Sequence, residues 1–220
     1  MLKIGHRGAA GHAPENTLAS LGKGIDLGVD AVEFDVQRTG DDALVLFHDR
    51  RVDRVTNGQG VIGELKLSEL RKFDAGQGQH IPLLEEALKA INGRVGAMIE
   101  IKIEGIATQV CRVVESVRFS GPTIYASFFH KELVEVRRVL QSAQTLALFE
   151  GVPVNPMPLI TDSQATHAGI ALDCLTQAFV NILQSQKIKV FVYTVDDPFD
   201  IQWVKSLGVD GIISNFPERL

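Results

Sequence analysis

Short apolar runs alternate with amphipathic, helix-like patterns along almost the whole chain. Eight of these runs have the length and the β-branched content that are typical of buried strands. They are residues 2–5, 31–38, 96–102, 123–127, 146–149, 169–173, 189–194 and 210–214. Apolar positions between most of them recur at helical spacing, in 16–27, 83–91, 106–117, 131–140, 177–186 and 197–208. Strands that alternate with helices in this way predict a parallel sheet.

Eight such strands in 220 residues favour an α/β fold of the (β/α)8 TIM-barrel type. The alternative is an open, doubly wound sheet. We expect a single domain that spans residues 1–220 and carries a small insertion after the second strand.

Two stretches interrupt the alternation. Only residues 39–43 separate the second strand from the apolar run 44–47, and a parallel crossover needs a dozen or more residues. We therefore expect this run to return antiparallel to the second strand. The glycine-rich stretch 50–80 is predicted to be the insertion, lying over the C-terminal mouth of the barrel. Residues 151–167, which contain several prolines and threonines, are interpreted as a loop or a degenerate helix.

The composition narrows the class of protein. Apolar residues make up 45% of the chain and charged residues 22%, which is ordinary for a soluble globular protein. The net charge of −5 argues against a general nucleic-acid binder, because such proteins normally present a basic face. Cys111 and Cys174 are far apart and form neither a metal-binding nor a disulfide pattern. The N-terminus has no signal-peptide pattern and no apolar run reaches the length of a membrane span, so we expect a cytoplasmic protein.

Charged and aromatic side chains gather where the predicted strands end. In a TIM barrel the catalytic groups lie at the C-terminal ends of the strands. The candidates at those ends are His6, Arg7, Glu33, Asp35, His48, Glu100, Lys102 and Tyr193. Each pattern alone is common, since an E-x-D pair usually marks a solvated edge and an E-x-K pair is often a simple ion pair. Their combination on the strands of one barrel predicts a single site.

The spacing of the carboxylates predicts a metal ion. Glu33 and Asp35 are two residues apart on one strand, so their side chains leave the same face. Glu100 and Lys102 have the same spacing on the third strand. Three carboxylates that face the barrel axis repel one another and are costly to desolvate, and a divalent cation removes both costs. Oxygen ligands favour a hard ion, Mg²⁺ or Ca²⁺, with Mn²⁺ as a further candidate.

The remaining candidates suit chemistry on an anionic ester. Arg7 is a bidentate donor for phosphate, and Lys102 adds a second positive charge. His6 and His48 can act as general acid and base, because imidazole titrates near neutral pH. Together with a metal ion, these groups indicate phosphoryl chemistry. The other histidines lie in predicted loops or helix starts and are interpreted as structural or solvent-exposed: His12, His80, His130 and His167.

These residues belong to a set of motifs that resembles the glycerophosphodiester phosphodiesterase family, in its bacterial cytosolic form. The motifs appear in the family's order and cover nearly the whole chain. They are His6-Arg7-Gly8, Pro14-Glu15-Asn16-Thr17, Glu33-Phe34-Asp35-Val36, Phe47-His48-Asp49, Asp53-Arg54-Val55-Thr56-Asn57-Gly58, Ile81-Pro82-Leu83, Glu100-Ile101-Lys102, Ser127-Phe128, Val192-Tyr193-Thr194-Val195 and Gly208-Val209-Asp210-Gly211-Ile212.

The resemblance implies a TIM barrel that hydrolyses glycerophosphodiesters to an alcohol and sn-glycerol 3-phosphate. In the family's pattern the metal ligands fall on Glu33, Asp35 and Glu100. The acid/base pair falls on His6 and His48, and Arg7 and Lys102 match the positions that hold the phosphate.

Three further positions fall within or next to the motifs of the family. Glu15 fits the start of the first helix and is interpreted as structural. Tyr193, a candidate substrate contact, stands where the family often has Trp, and Asn215 stands where Asp is common.

Two other functions are compatible with the same residues. A non-catalytic sensor would bind a phosphodiester or a metal on an inherited barrel, although the intact set of ligand and acid/base positions argues against it. A lyase would instead form a cyclic phosphate from a lysophospholipid. In each case the partner is a small molecule, and the chain is predicted to be a monomer or a homodimer that binds no nucleic acid.

Overall fold

Nine strands form one sheet in the computed structural model, which describes residues 1–220. They are β1 (Leu2–Gly5), β2 (Ala31–Arg38), β3 (Leu44–Leu46), β4 (Gly96–Ile101), β5 (Thr123–Ser127), β6 (Gln144–Phe149), β7 (His167–Ala171), β8 (Lys189–Tyr193) and β9 (Gly211–Ser214). All except β3 are parallel to their neighbours. Because β1 pairs with both β2 and β9, the eight parallel strands close into a barrel. The TIM-barrel prediction is confirmed, and the open-sheet alternative is wrong.

Eight helices accompany the strands, and most of them connect one barrel strand to the next. They are α1 (Leu18–Asp26), α2 (Leu67–Leu70), α3 (Leu84–Ile91), α4 (Ala107–Ser116), α5 (His130–Val139), α6 (Met157–Asp162), α7 (Gln177–Ser185) and α8 (Pro198–Ser206). Thr17, Thr176 and Asp197 cap α1, α7 and α8, because each side chain accepts a hydrogen bond from a backbone N–H of the first turn. A helix with the length and apolar content that a membrane span requires is absent from the structure.

The core has two layers, and the alternation along β2 separates them. Val32, Phe34 and Val36 belong to a cluster of 21 buried residues that includes apolar residues of α3 and α4. A smaller cluster, which includes Met98 and Phe191, fills the interior of the barrel. Successive side chains of a strand point to opposite faces, so the carboxylates between the apolar residues of β2 face the interior, as predicted.

The antiparallel return and the insertion are both present. β3 runs antiparallel to the C-terminal half of β2, with Val36 opposite Leu46 and Arg38 opposite Leu44. The insertion contains two single 3₁₀ turns and α2, and it packs a small core of its own with β3. Its Arg54 contacts Glu15, in the loop after β1. The insertion therefore reaches the mouth of the barrel.

The structure separates the alternatives left open before β7 and corrects the start of that strand. The segment that precedes β7, interpreted as a loop or a degenerate helix, contains the short helix α6, which agrees with the second alternative. The strand itself begins at His167 rather than at residue 169, because His167 pairs with Leu146 of β6. The prediction that His167 lies in a loop is therefore wrong. Its side chain is buried and packs beside the Phe191 ring, with 5.4 Å between the ring centroids.

Candidate active site

Three carboxylates meet on the neighbouring strands β2 and β4, just beyond the C-terminal end of β1. Glu33 and Asp35 are on β2, and Asp35 lies directly opposite Glu100 of β4 in the sheet register. One oxygen from each of the three carboxylates lies within 4.8 Å of the others. The register thus brings together the three residues predicted to bind a metal.

The protonation equilibria of these carboxylates are strongly perturbed. Burial, together with the charges of Asp35 and Glu100, raises the pKa of Glu33 well above its usual value. Burial and the charge of Asp35 raise the pKa of Glu100 to about 7. Burial would also raise the pKa of Asp35, but Lys102 and Arg7 outweigh that effect and hold it below its usual value. The raised pKa values of Glu33 and Glu100 show that the protein alone does not offset the repulsion among three buried carboxylates.

One oxygen of the cluster has no partner. Glu33 Oε2 accepts a hydrogen bond from the Arg7 backbone N–H at 2.8 Å, whereas Glu33 Oε1 is buried without any hydrogen bond. Buried polar atoms almost always have a partner, so an orphaned carboxylate oxygen needs an explanation. Three carboxylates with one free buried oxygen fit a hard divalent cation.

Two cations flank the carboxylates. The Lys102 ammonium lies 2.6 Å from Glu100 Oε1 and 3.6 Å from Asp35 Oδ1. The Arg7 guanidinium approaches Asp35 Oδ2 through Nε at 3.3 Å and donates from Nη1 to Glu15 Oε1 at 2.8 Å. Asp35 therefore lies between two positive charges at the mouth of the barrel.

His6 is held by a neutral side chain. Its Nδ1 lies 2.8 Å from Asn215 Oδ1, and the amide of Asn215 donates from Nδ2 to Asp196 Oδ2 at 2.6 Å. The second contact fixes which end of the amide faces the imidazole. His6 Nε2 is then directed toward Glu33, at 4.0 Å from Oε2. Burial and the charge of Arg7 lower the pKa of His6 to about 4, so the isolated protein keeps this ring neutral.

His48 is held by a carboxylate. Its Nδ1 lies 2.7 Å from Asp49 Oδ1, which leaves Nε2 free of protein partners. The turn after β3 is shaped by Gln37, whose side-chain nitrogen lies within 3.0 Å of the carbonyl oxygens of Phe47, His48 and Asp49. The charge of His48 also contributes to the low pKa of Asp35. The return strand therefore brings His48 into electrostatic range of the acidic cluster.

Tyr193 lines the cavity beside the cluster, but its hydroxyl is already engaged. The cavity is bounded by His6, Glu33, Glu100 and Tyr193, together with apolar residues of the barrel interior. The Tyr193 hydroxyl donates to the Phe149 backbone oxygen at 3.0 Å. Its ring is therefore the part that faces the cavity.

Comparison with known proteins places this architecture in a family. The model of the glycerophosphoryl diester phosphodiesterase family matches residues 6–219. The chain belongs to this family. It is thus an enzyme of the phosphoric diester hydrolase class, as predicted.

Relatives of the family are similar over nearly their whole length. A glycerophosphodiester phosphodiesterase of Caldanaerobacter subterraneus is 32% identical, with 100% of this chain and 96% of the relative covered. The Bacillus subtilis protein YhdW is 33% identical, with 99% and 96% covered. Among solved structures, an Oleispira antarctica phosphodiesterase in complex with the product sn-glycerol-3-phosphate is 29% identical. It superposes with a TM-score of 0.92 over 98% of this chain and 93% of the other.

Several residues of the site were not singled out from the sequence. Asn16 donates to Asp35 Oδ2 at 2.8 Å, and its own side-chain oxygen accepts from the Asp35 backbone N–H. Gln37 continues the two-residue spacing of Glu33 and Asp35, so the strand period is a signal that could have found it. Asp196, by contrast, reaches the site only through Asn215, and no local pattern indicates this.

Glu15 has a different place from the one expected. α1 begins at Leu18 with Thr17 as its N-cap, so Glu15 precedes the helix and the prediction that it belongs to the helix start is wrong. Its carboxylate instead accepts hydrogen bonds from Arg7 and Arg54. The residue contacts the phosphate-binding candidate rather than the helix.

Proposed function

We propose that this protein hydrolyses glycerophosphodiesters to an alcohol and sn-glycerol 3-phosphate, with one divalent cation and the histidines His6 and His48. The observation that carries the proposal is the meeting of three carboxylates, two cations and the two imidazoles at one end of the barrel. The product seen in the Oleispira relative supports the choice of substrate class. We further propose that one domain spanning residues 1–220 carries the activity.

Glu33, Asp35 and Glu100 would hold the cation, and the orphaned Glu33 Oε1 is a free ligand atom. When bound, Mg²⁺, Ca²⁺ or Mn²⁺ supplies charge neutralisation to the phosphodiester. The residues do not select among these ions, because all three accept carboxylate oxygens.

The protein groups around the cluster have separate tasks. Arg7 and Lys102 orient the phosphodiester by charge-assisted hydrogen bonds, for which they exchange part of their contact with Asp35. The imidazoles of His6 and His48 are each held at Nδ1 and present Nε2, so one can take a proton from the nucleophile while the other donates one to the leaving alcohol. Tyr193 contacts the substrate through its ring.

The first test is catalytic. Purified protein is assayed for glycerol 3-phosphate released from glycerophosphocholine, with and without EDTA. His6→Ala and His48→Ala should each lower kcat by about 10²–10⁴-fold, the usual contribution of general acid–base catalysis. His80→Ala is the control, since it replaces a histidine outside the site. Full activity in either site variant would contradict the assignment, and absence of turnover by the wild type would favour the sensor.

The second test addresses the cation without measuring turnover. At a concentration about 100-fold above its Kd, a bound ion stabilises the folded state by about 2.7 kcal/mol. For a chain of this length that corresponds to a rise in Tm of roughly 5–10 °C. Glu33→Gln keeps an acceptor for the Arg7 N–H but removes a ligand charge, so its Tm should respond little to Mg²⁺ or Ca²⁺. Equal responses of the wild type and the variant would argue against this site.

The same assay distinguishes hydrolysis from the lyase reaction. Phosphorus NMR of the products should show a phosphate monoester and no cyclic phosphate: glycerol 3-phosphate from glycerophosphocholine, and acylated glycerol 3-phosphate from a lysophospholipid. Accumulation of a cyclic phosphate would replace the proposed reaction with the lyase reaction.

A further inference from the structure

We infer that Arg54, which comes from the insertion, is a positioning residue for the active site. Its guanidinium holds the carboxylates of Asp49 and Glu15, and through them it orients His48 and Arg7. The inference rests on the proposed function, because it assigns the insertion a part in the same reaction.

Arg54 forms four hydrogen bonds to the two carboxylates. Nε and Nη2 donate to Asp49 Oδ2 and Oδ1 at 2.5 and 3.1 Å. Nη1 and Nη2 donate to Glu15 Oε2 and Oε1 at 2.9 and 2.6 Å. The planar guanidinium thus meets both carboxylates in the bidentate geometry that lysine does not reproduce.

The same two carboxylates also hold the site residues. Asp49 Oδ1, which accepts from Arg54 Nη2, is the atom that contacts His48 Nδ1 at 2.7 Å. Glu15 Oε1, which accepts from the same nitrogen, also accepts from Arg7 Nη1 at 2.8 Å. A continuous chain of contacts therefore runs from His48 to Arg7, and Arg54 is its central member.

A neighbouring arginine on the same 3₁₀ turn provides a comparison. Arg51 forms its ion pair with Asp53 alone, at 2.9 Å, and its side chain is 57% exposed, against 49% for Arg54. The two arginines therefore differ in their partners rather than in their exposure. The turn that carries both arginines is anchored by the fully buried Val52, whose carbonyl accepts from the backbone N–H and the hydroxyl of Thr56. The fixed turn places Arg54 between Asp49 and Glu15, whereas Arg51 pairs with Asp53 outside the site.

Loss of Arg54 would affect the two site residues in different ways. Asp49 keeps the proton of His48 on Nδ1 and leaves Nε2 free to act as acid or base. Without Arg54, the Asp49 carboxylate can turn toward water and no longer holds the imidazole in this form. Glu15 keeps the Arg7 fork in one orientation, so its release weakens phosphate positioning. Asp49→Asn should therefore lower mainly kcat, Glu15→Gln should raise mainly KM, and Arg54→Met should do both.

The experiment compares Arg54→Met, Arg54→Lys and the control Arg51→Met in the full chain. Loss of a residue that orients a ligand or catalytic group typically costs 10–100-fold, and we expect a decrease of about that size in kcat/KM for Arg54→Met. Arg54→Lys should recover only part of it, and Arg51→Met should match the wild type. Millimolar guanidinium should restore activity to Arg54→Ala, because the ion can occupy the vacated position between the carboxylates.

A second readout does not depend on turnover. The ¹⁵N shifts of His48 at pH 8 report its tautomer, and Arg54→Met should change the single Nδ1–H form of the wild type into a mixture. If the wild type shows no turnover but this change occurs, the proposed function fails while the positioning role stands. Wild-type tautomer and kinetics in Arg54→Met, or no rescue of Arg54→Ala by guanidinium, would overturn the inference.

Discussion

The two imidazoles of the site differ in the residue that holds them. His6 contacts the neutral amide of Asn215, whereas His48 contacts the carboxylate of Asp49. Asp49 follows His48 directly in the sequence, but Asn215 is 209 residues away from His6. Asn215, at the position where the pattern described above often has Asp, thus lies beside one of the two catalytic candidates. The carboxylate of Asp196 contacts Asn215 and not the His6 ring.

Tyr193 offers a test at the scale of single residues. Tyr193→Phe removes the hydrogen bond to the Phe149 oxygen, which should cost about 1 kcal/mol of the free energy of unfolding. Activity should stay close to that of the wild type, because the ring that lines the cavity remains. Tyr193→Ala should lose activity. If Tyr193→Phe loses as much activity as Tyr193→Ala in a glycerol 3-phosphate assay, the hydroxyl itself acts on the substrate.

At the scale of elements, β2 organises the site, and neighbouring elements fix its ends. Alternate residues of β2 pack against the helices or face the barrel axis, so one strand supplies both the core and two carboxylates. Residues 39–43 connect β2 to the antiparallel strand β3, and His48, which follows β3, lies near the mouth of the barrel. Because β2 is held in register with β3 and β4, that register sets the distances between the carboxylates and His48.

The start of α4 depends on a buried carboxylate from the next helix. Glu132 of α5 accepts hydrogen bonds from the backbone N–H groups of Gly105, Ile106 and Ala107 at 2.7, 3.1 and 2.8 Å. Glu132→Ala leaves these donors without an acceptor, which should lower the free energy of unfolding by about 2 kcal/mol in urea titrations. Glu135→Ala, on the exposed face of the same helix, should change it by less than about 0.5 kcal/mol. Equal losses in the two variants would show that Glu132 does not act as a cap.

At the scale of the whole molecule, the barrel interior changes character from one end to the other. Charged groups occupy the C-terminal end, and apolar side chains fill the middle. His167, at the first residue of β7, is buried near the opposite end. Burial and the charge of Lys189 lower its pKa to about 4, although Asp210 acts in the opposite direction.

His167 should make the stability of the protein depend on pH. Its pKa rises from about 4 in the folded state to 6.5 in the unfolded state, so the unfolded state binds a proton first as the pH falls. The contribution of His167 is complete above pH 6.5 and is lost by pH 4. Between these limits the wild type should lose up to about 3 kcal/mol more than His167→Gln. Urea titrations at several pH values measure the difference, with His80→Gln as the control; parallel curves for wild type and His167→Gln would contradict the prediction.

The barrel, the antiparallel return and the convergence of the three carboxylates followed from the sequence, because each rests on local periodicity or on the length of a connection. The roles of the eight candidate residues stay predictions. The start of β7 did not follow, because it is set by pairing with β6. Helix α6 was one of two alternatives, because six residues are too few to produce a clear period. The cytoplasmic location and the monomer or homodimer state stay predictions.

The sequence by itself determined the barrel, the inward carboxylates of β2 and β4, and the presence of two histidines at strand ends. The physical reason is that the alternation of side chains along a strand and the parallel course of the strands depend on near neighbours in the chain. Only the tertiary structure decided which residues hold the two imidazoles, the place of Glu15 and the role inferred for Arg54. Those contacts join residues that are remote in sequence, and their geometry exists only after the barrel has closed and the insertion has packed on its mouth.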